Sequence, residues 1–344
     1  MKGLVLTEIG KVSLQEVEKP KIIDDTDVVI RVTLCTICGS DIHLMHGGIA
    51  SEPPYVLGHE YAGVIEEVGS AVKGFKPGDR VCGPPAVWCG RCDNCLKGAI
   101  AQCENGGIHG SGPTAGGLSG AQSEYMRIPY ADGILLHVPD DMSDEVALLI
   151  CDNVSTGFFA VENGEAFPGD VALIFGAGPV GLCAIACTKL FGVSTVISVE
   201  YDDFRLQKAK EMGADHIINA NEDVVAKVME ITGGKGVDFA AECAGDYKAF
   251  REGVLCCGVG GRVSVVGIGE KMDIPLPDAF VKNINIKSGL GYLGNLKRLM
   301  NLVHKRKINV APVITHRIKL ADIEAAYPMF EKREDNVIKI AVTP

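Results

Sequence analysis

The amino-acid sequence predicts an α/β protein of two units: a barrel-like unit of short β-strands, and a doubly wound parallel sheet with helices on both faces. Three observations predict it. At 344 residues, 47% hydrophobic and 22% charged, the chain has the length of two ordinary domains and the composition of a packed globular protein. Up to about residue 150, short runs such as VVIRVTL, YAGVIEEVG and GDRVCG are separated by Gly and Pro, the punctuation of many short strands. From Val171 the pattern becomes strand and helix in alternation: VALIFGAG, PVGLCAIACTKLF, STVISVE, DFRLQKAKEMG, and onward to RVSVVGIG.

The last stretch carries one expected helix, LGNLKRLMNLVHKRK, and an expected strand, VIKIAV, both closer in character to the first part than to the middle. The expected division is therefore residues 1–153 with 290–344 in one unit and 154–289 in the other.

Lys and Arg number 33 against 44 Asp and Glu, a net charge of -11, and the cations form no stripe that could neutralise phosphates. Nucleic acid is excluded as an expected partner. No apolar run is long enough for a membrane span or a secretory signal, so a cytoplasmic protein is expected. In that compartment the 13 cysteines point to metal ligation or buried thiols rather than disulfides.

The strand VALIF runs directly into Gly176-Ala177-Gly178-Pro179-Val180-Gly181, and a helical pattern follows at once. Gly176 permits a tight turn, Gly178 lets backbone approach a pyrophosphate, and Gly181 lets helix and strand pack closely. The helix start offers free N–H groups and a positive dipole to the phosphates. The next strand ends at Glu200, where a carboxylate can accept from both ribose hydroxyls of NAD and repel a 2'-phosphate. Arg205 alone is poor support for NADP.

Cys89, Cys92, Cys95 and Cys103 lie within one short polar segment. Four thiolates suit tetrahedral zinc, and a closed shell of this kind stabilises a loop without performing chemistry. An iron–sulfur cluster is the competing reading. A second set is dispersed: Cys38 in C-G-S-D-x-x-H, His59 and Glu60 in G-H-E, and Asp152 in C-D-N-V-S-T-G. Spacing cannot establish that set as a site, but its donor types could hold zinc with one position open. Zinc lowers the pKa of a coordinated oxygen, so an alcohol held there could lose its proton and then a hydride. Ser40 and His43 are candidates to carry the proton away through the nicotinamide ribose; on their own they would read as a turn.

These motifs occur in one order, Cys38 to His43, Gly58 to Glu60, the four cysteines, Asp152 ahead of Thr156, and Gly176 to Gly181 followed by Glu200. In that order the chain resembles the zinc-containing medium-chain dehydrogenases from its first strand to its last. The resemblance implies a GroES-like catalytic domain, a Rossmann coenzyme domain and an active site in the cleft between them. It assigns catalytic zinc to Cys38, His59 and Asp152, with Glu60 as an intermittent or fourth ligand, and structural zinc to the four cysteines, two zincs per chain. It places Thr156, Val180 and Val266 near the nicotinamide and Arg205 near the adenosine. CDNVSTGFFAVENG and GGLSGAQSEYMRIPYAD are similar to the secondary-alcohol and formaldehyde-type branches. The expected activity is NAD-linked oxidation of a small primary or secondary alcohol by a homotetramer, with a homodimer as alternative. A polyol or threonine dehydrogenase, or a nonenzymatic NAD- or zinc-sensing protein, are the competing expectations.

Overall fold

A computed structural model describes residues 1–269, 273–305 and 308–344. Two compact units divide the chain: Met1–Asp152 with Tyr292–His304 and Ile314–Pro344, and Asn153–Gly291 with Lys305–Val313. The short segment before Ile314 thus goes with the second unit, which the change of sequence pattern near Gly289 did not indicate.

The first unit is built around the strand Val28–Ile37, whose near-continuous apolar run is buried along most of its length. One side of it pairs antiparallel with Tyr61–Val68. The other side is shared, its first half by Tyr125–Ile128 and its last residues by Ile340–Thr343. Register shifts at Val29/Ile30 and Val32/Leu34 break the ladder against Tyr61–Val68, and bulges of this kind bend a sheet. Arg80–Gly83 and Leu136–His137 extend the sheet on one side and His316–Lys319 on the other. Leu4, Leu6, Val28, Ile30, Ile37, Tyr61, Ile65 and Val342 fill its core. The expected carboxy-terminal helix is seen over Leu296–His304, while Arg306 and Lys307 lie outside the described residues.

Among the described residues the second unit holds six strands, all parallel, in the order His216–Asn219, Thr195–Glu200, Val171–Phe175, Val237–Glu242, Cys257–Val265 and Asn285–Ser288. Numbered along the chain this is 3-2-1-4-5-6, the doubly wound order whose direction reverses beside Val171–Phe175. Leu173, Phe175, Ile197, Val199, Ala240 and Val263 are buried on one face of the sheet and Ala172, Ile174, Val196, Phe239 and Ala241 on the other, as helix-covered parallel strands require. Three of its helices start where the sequence supplies caps: the carboxylates of Asp202, Asp223 and Asp246 accept from the N–H of Arg205, Ala226 and Ala249.

One buried titratable group in the first unit makes stability depend on pH. His109 is fully buried, with Nδ1 3.0 Å from the Ser119 carbonyl oxygen, and burial lowers its pKa to about 4. Because the folded value lies below the ordinary 6.5, the unfolded chain takes up the proton first as pH falls. This stabilisation is fully present above pH 6.5 and is lost as pH drops toward 4, roughly 3 kcal/mol across that window. His109→Asn, which keeps a donor for Ser119, should flatten the dependence by about that amount. Denaturant unfolding from pH 7 to 4 measures it, and parallel pH profiles for the two proteins would contradict the assignment.

Candidate active site and metal centres

Strand register brings the dispersed ligand set together. Cys35 lies opposite Tyr61 in the antiparallel pair, so the residues just beyond Cys35 run alongside those just before Tyr61. Thr36 meets Glu60 in this way and donates its hydroxyl hydrogen to Glu60 Oε2. Cys38 and His59 follow just beyond the paired ends, diagonally across from one another. Asp152 enters from a π-helical turn, Ile150–Val154, after the helix Asp144–Leu149, and such turns recur at functional sites. One ligand atom from each of Cys38, His59, Glu60 and Asp152 lies within 4.8 Å of the other three. One thiol, one imidazole and two carboxylates at that separation fit a tetrahedral zinc.

The surroundings shape these ligands. His59 Nε2 stands 3.7 Å from Asp152 Oδ2 and 3.3 Å from Ser40 Oγ, and Nδ1 stands 3.3 Å from Asp41 Oδ1. Burial alone would lower the His59 pKa, but the Asp41 carboxylate and Cys38 outweigh it and hold the pKa well above the ordinary value. Asp41 sits in the first turn of the helix Gly39–Met45, and its Oδ2 accepts from the Cys38 N–H at 2.9 Å. Ser40 belongs to the same helix, as does the exposed His43, and among the described residues no direct contact joins the two.

Lys339 is fully buried, with Nζ 2.5 Å from Glu60 Oε2. Ile340 pairs with Ile37, which puts Lys339 alongside Cys38 at the strand end. Burial lowers the ammonium's pKa, but Glu60, Cys38 and Asp152 together more than reverse this, so Lys339 stays charged. Burial pushes the Glu60 carboxyl up to about 7 against the opposing pull of Lys339. The sequence reading missed this cation. Its signal was a lone Lys inside the apolar VIKIAV run, a charge that cannot be buried there without a partner.

The four cysteines of the second set share a single loop, with Cys92 at the start of the short helix Asp93–Leu96 and Cys103 just after the turn Ile100–Gln102. Their Sγ atoms meet the same 4.8 Å criterion. The Cys92–Cys103 separation is 3.8 Å, the edge of a tetrahedron with metal–sulfur bonds of about 2.3 Å. The backbone N–H of Arg91, with help from Asn105, lowers the Cys89 thiol to about 6, and the N–H of Cys95 lowers Cys92. Burial raises the other two thiols, Cys95 and Cys103, whose protons a bound metal would displace.

In the second unit the glycine turn joins the strand Val171–Phe175 to the helix Pro179–Thr188. Gly176 has φ +85°, and a Cβ on Gly181 would lie 1.8 Å from the Gly176 carbonyl oxygen, so both positions require glycine for the fold itself. Gly178 differs, because a Cβ there would meet nothing nearer than Arg205 Nη1 at 3.8 Å. The space over Gly178 is open, as a pyrophosphate lying on the helix start requires. Glu200 braces the same turn: Oε2 accepts from the Ala177 N–H at 3.0 Å and Oε1 from the Tyr201 N–H at 2.7 Å. Thr156 lies in the helix Ser155–Asn163 and Val266 directly follows the strand Cys257–Val265, both in this unit.

Fold and ligand clusters together define a metal-dependent dehydrogenase. Comparison with known proteins agrees: residues 24–140 match the alcohol dehydrogenase GroES-like domain, and residues 179–305 match the zinc-binding dehydrogenase domain. The whole chain is 36% identical to an alcohol dehydrogenase of Cupriavidus necator, covering 99% of it, and 33% identical to a sorbitol dehydrogenase of Bacillus subtilis, covering 97%. It superposes on the alcohol dehydrogenase TADH from Thermus sp. ATN1 with a TM-score of 0.93 and 32% identity, covering 100% of this chain and 99% of that one. The chain belongs to the zinc-dependent medium-chain dehydrogenases/reductases, oxidoreductases that act on CH–OH donors.

Proposed function

We propose that the protein reversibly oxidises small primary or secondary alcohols to aldehydes or ketones, passing the hydride to NAD. The observation that carries this reading is the convergence of Cys38, His59, Glu60 and Asp152 at adjoining strand ends in a chain that also holds the Gly176 to Gly181 turn. Bound there, zinc supplies a Lewis acid that acidifies a hydroxyl group, and NAD supplies the hydride acceptor.

The chain's own residues do the rest. Cys38, His59 and Asp152 hold the metal, while Lys339 and Thr36 hold the Glu60 carboxylate at the edge of the ligand set. Ser40 takes up the substrate proton at Oγ as it gives up its own, and the exposed His43 is the group that releases a proton to solvent. The backbone around Gly178 and the start of the helix Pro179–Thr188 receive the pyrophosphate, Thr156, Val180 and Val266 pack near the nicotinamide, and Arg205, whose guanidinium lies against Gly178, sits by the adenosine. Glu200, followed by Asp202 and Asp203, makes the ribose end of the site acidic, which favours NAD over a coenzyme with an added phosphate. The four-cysteine cluster holds a second, structural zinc.

A polyol substrate is the second reading, favoured by the likeness to a sorbitol dehydrogenase. Initial rates on 2-butanol, sorbitol, 2,3-butanediol and threonine, each with NAD and NADP, separate the possibilities. The expected result is highest kcat/KM on the simple secondary alcohol, with NAD preferred at least about tenfold, or about 1.4 kcal/mol. A preference for sorbitol or threonine, or for NADP, would contradict it.

No described helix is long and apolar enough to cross a membrane, and a cytoplasmic setting is proposed. Assembly as a homotetramer, or a homodimer, is proposed through the free edge of the strand Asn285–Ser288, where Phe280 and Val281 are 79% and 77% exposed. Residues 262–288 are proposed as the segment that joins the copies; of these, Glu270 to Met272 lie outside the described residues.

A further inference from the structure

We propose that Tyr327 is a positioning residue for the catalytic-site metal, acting through Gln122 and Asp41 on the tautomer of His59. The proposal rests on the reading of Cys38, His59 and Asp152 as metal ligands and adds the groups that aim the imidazole.

Tyr327 comes from the helix Ile323–Lys332, and its hydroxyl donates to Gln122 Oε1 at 2.8 Å. The Thr36 carbonyl and the Asp41 carboxylate can only accept, so they take the Nε2 end of the Gln122 amide, and the Tyr327 hydroxyl holds the Oε1 end in place. The Nε2 group then faces two acceptors, the Thr36 carbonyl oxygen and Asp41 Oδ2, both at 3.0 Å. Reversing the amide would set Oε1 against a carbonyl and a carboxylate with no proton between them. Asp41 Oδ2 also accepts from the Cys38 N–H, which leaves Oδ1 to face His59 Nδ1 at 3.3 Å.

A carboxylate at Nδ1 selects the tautomer with its proton there and its lone pair on Nε2, the nitrogen that faces Asp152 and Ser40. Tyr327, Gln122, Asp41 and His59 are all buried, and in a low-dielectric interior a polar chain of this kind either is fully satisfied or misdirects its end group. The Tyr327 hydroxyl bonds to Gln122 and, among the described residues, to no metal ligand, so its influence passes through two intervening side chains.

Zinc release to a chromophoric chelator, measured on the full-length zinc-loaded protein, tests the proposal with the four-cysteine site as internal control. Tyr327→Phe should speed release from the Cys38, His59 and Asp152 site about three- to tenfold, less than the tenfold or more that follows removal of a direct outer partner of a metal-bound His. Release from the four cysteines should not change, and the visible spectrum of cobalt in the first site should shift. Gln122→Met should act in the same direction, and the double variant should not exceed the larger single effect, since both break one chain. Release within about twofold of wild type for Tyr327→Phe would overturn the proposal. So would equal acceleration at both metal sites, which marks a general loss of structure. A wild-type chain that holds zinc only at the four cysteines would overturn the underlying metal reading instead, a result visible without any substitution.

Discussion

Cys38→Ser should lower turnover more than about a thousandfold, since Lewis-acid stabilisation is worth several kcal/mol and each 1.36 kcal/mol is a factor of ten. A serine hydroxyl stays protonated at neutral pH, so the metal would lose its one thiolate and with it the ligand that balances much of its charge. The fold should survive, because Cys38 lies at a strand end in a partly exposed position and its backbone N–H bond to Asp41 does not depend on the sulfur. Metal analysis should accordingly fall from two zincs per chain to one, retained by Cys89, Cys92, Cys95 and Cys103. Turnover within about tenfold of wild type would show that the chemistry lies elsewhere.

Lys339→Met should destabilise the metal-free protein by about 3–5 kcal/mol, the cost of leaving one member of a buried ion pair uncompensated. The expected size follows from position: Lys339 is fully buried and is the cation that faces Glu60 and the nearby Asp152 carboxylate. The measurement belongs at pH 8, where the wild-type Glu60 carboxylate is charged; loss of the Lys339 pull raises the Glu60 pKa further, so the measured loss includes the cost of protonating it. Glu60→Gln combined with Lys339→Met removes both charges and should recover most of the loss. Denaturant unfolding of wild type, both single variants and the double gives the coupling. A Lys339→Met loss under about 1 kcal/mol would mean that the pair contributes little.

How much of this was legible in the sequence depended on how local each feature is. The glycine turn and the four-cysteine loop could be read because everything that defines them lies within one short segment, so spacing alone carries geometry. The dispersed ligands could not be read in the same way. Cys38, His59 and Asp152 meet only because Val28–Ile37 pairs with Tyr61–Val68 and a π-helical turn lies beside them, and no local pattern encodes that register. Their assignment from sequence came through resemblance.

The supporting residues were harder still. Gln122 and Tyr327 are ordinary residue types drawn together from distant segments, and Lys339 gains meaning only when its strand pairs next to Cys38. Glu200 was found as an acid at a strand end, but that its carboxylate braces the turn through Ala177 depends on packing.

The central claim is that a metal held by Cys38, His59 and Asp152 performs NAD-linked alcohol oxidation. Its most direct test is to remove that metal with a chelator mild enough to spare the four-cysteine zinc, then follow NAD reduction by a short-chain secondary alcohol before removal, after it, and after one equivalent of zinc is restored. The account predicts activity at the start, its loss with release of one zinc per chain, and its return on restoration. Undiminished NAD reduction by protein that keeps zinc only at the four cysteines would contradict it.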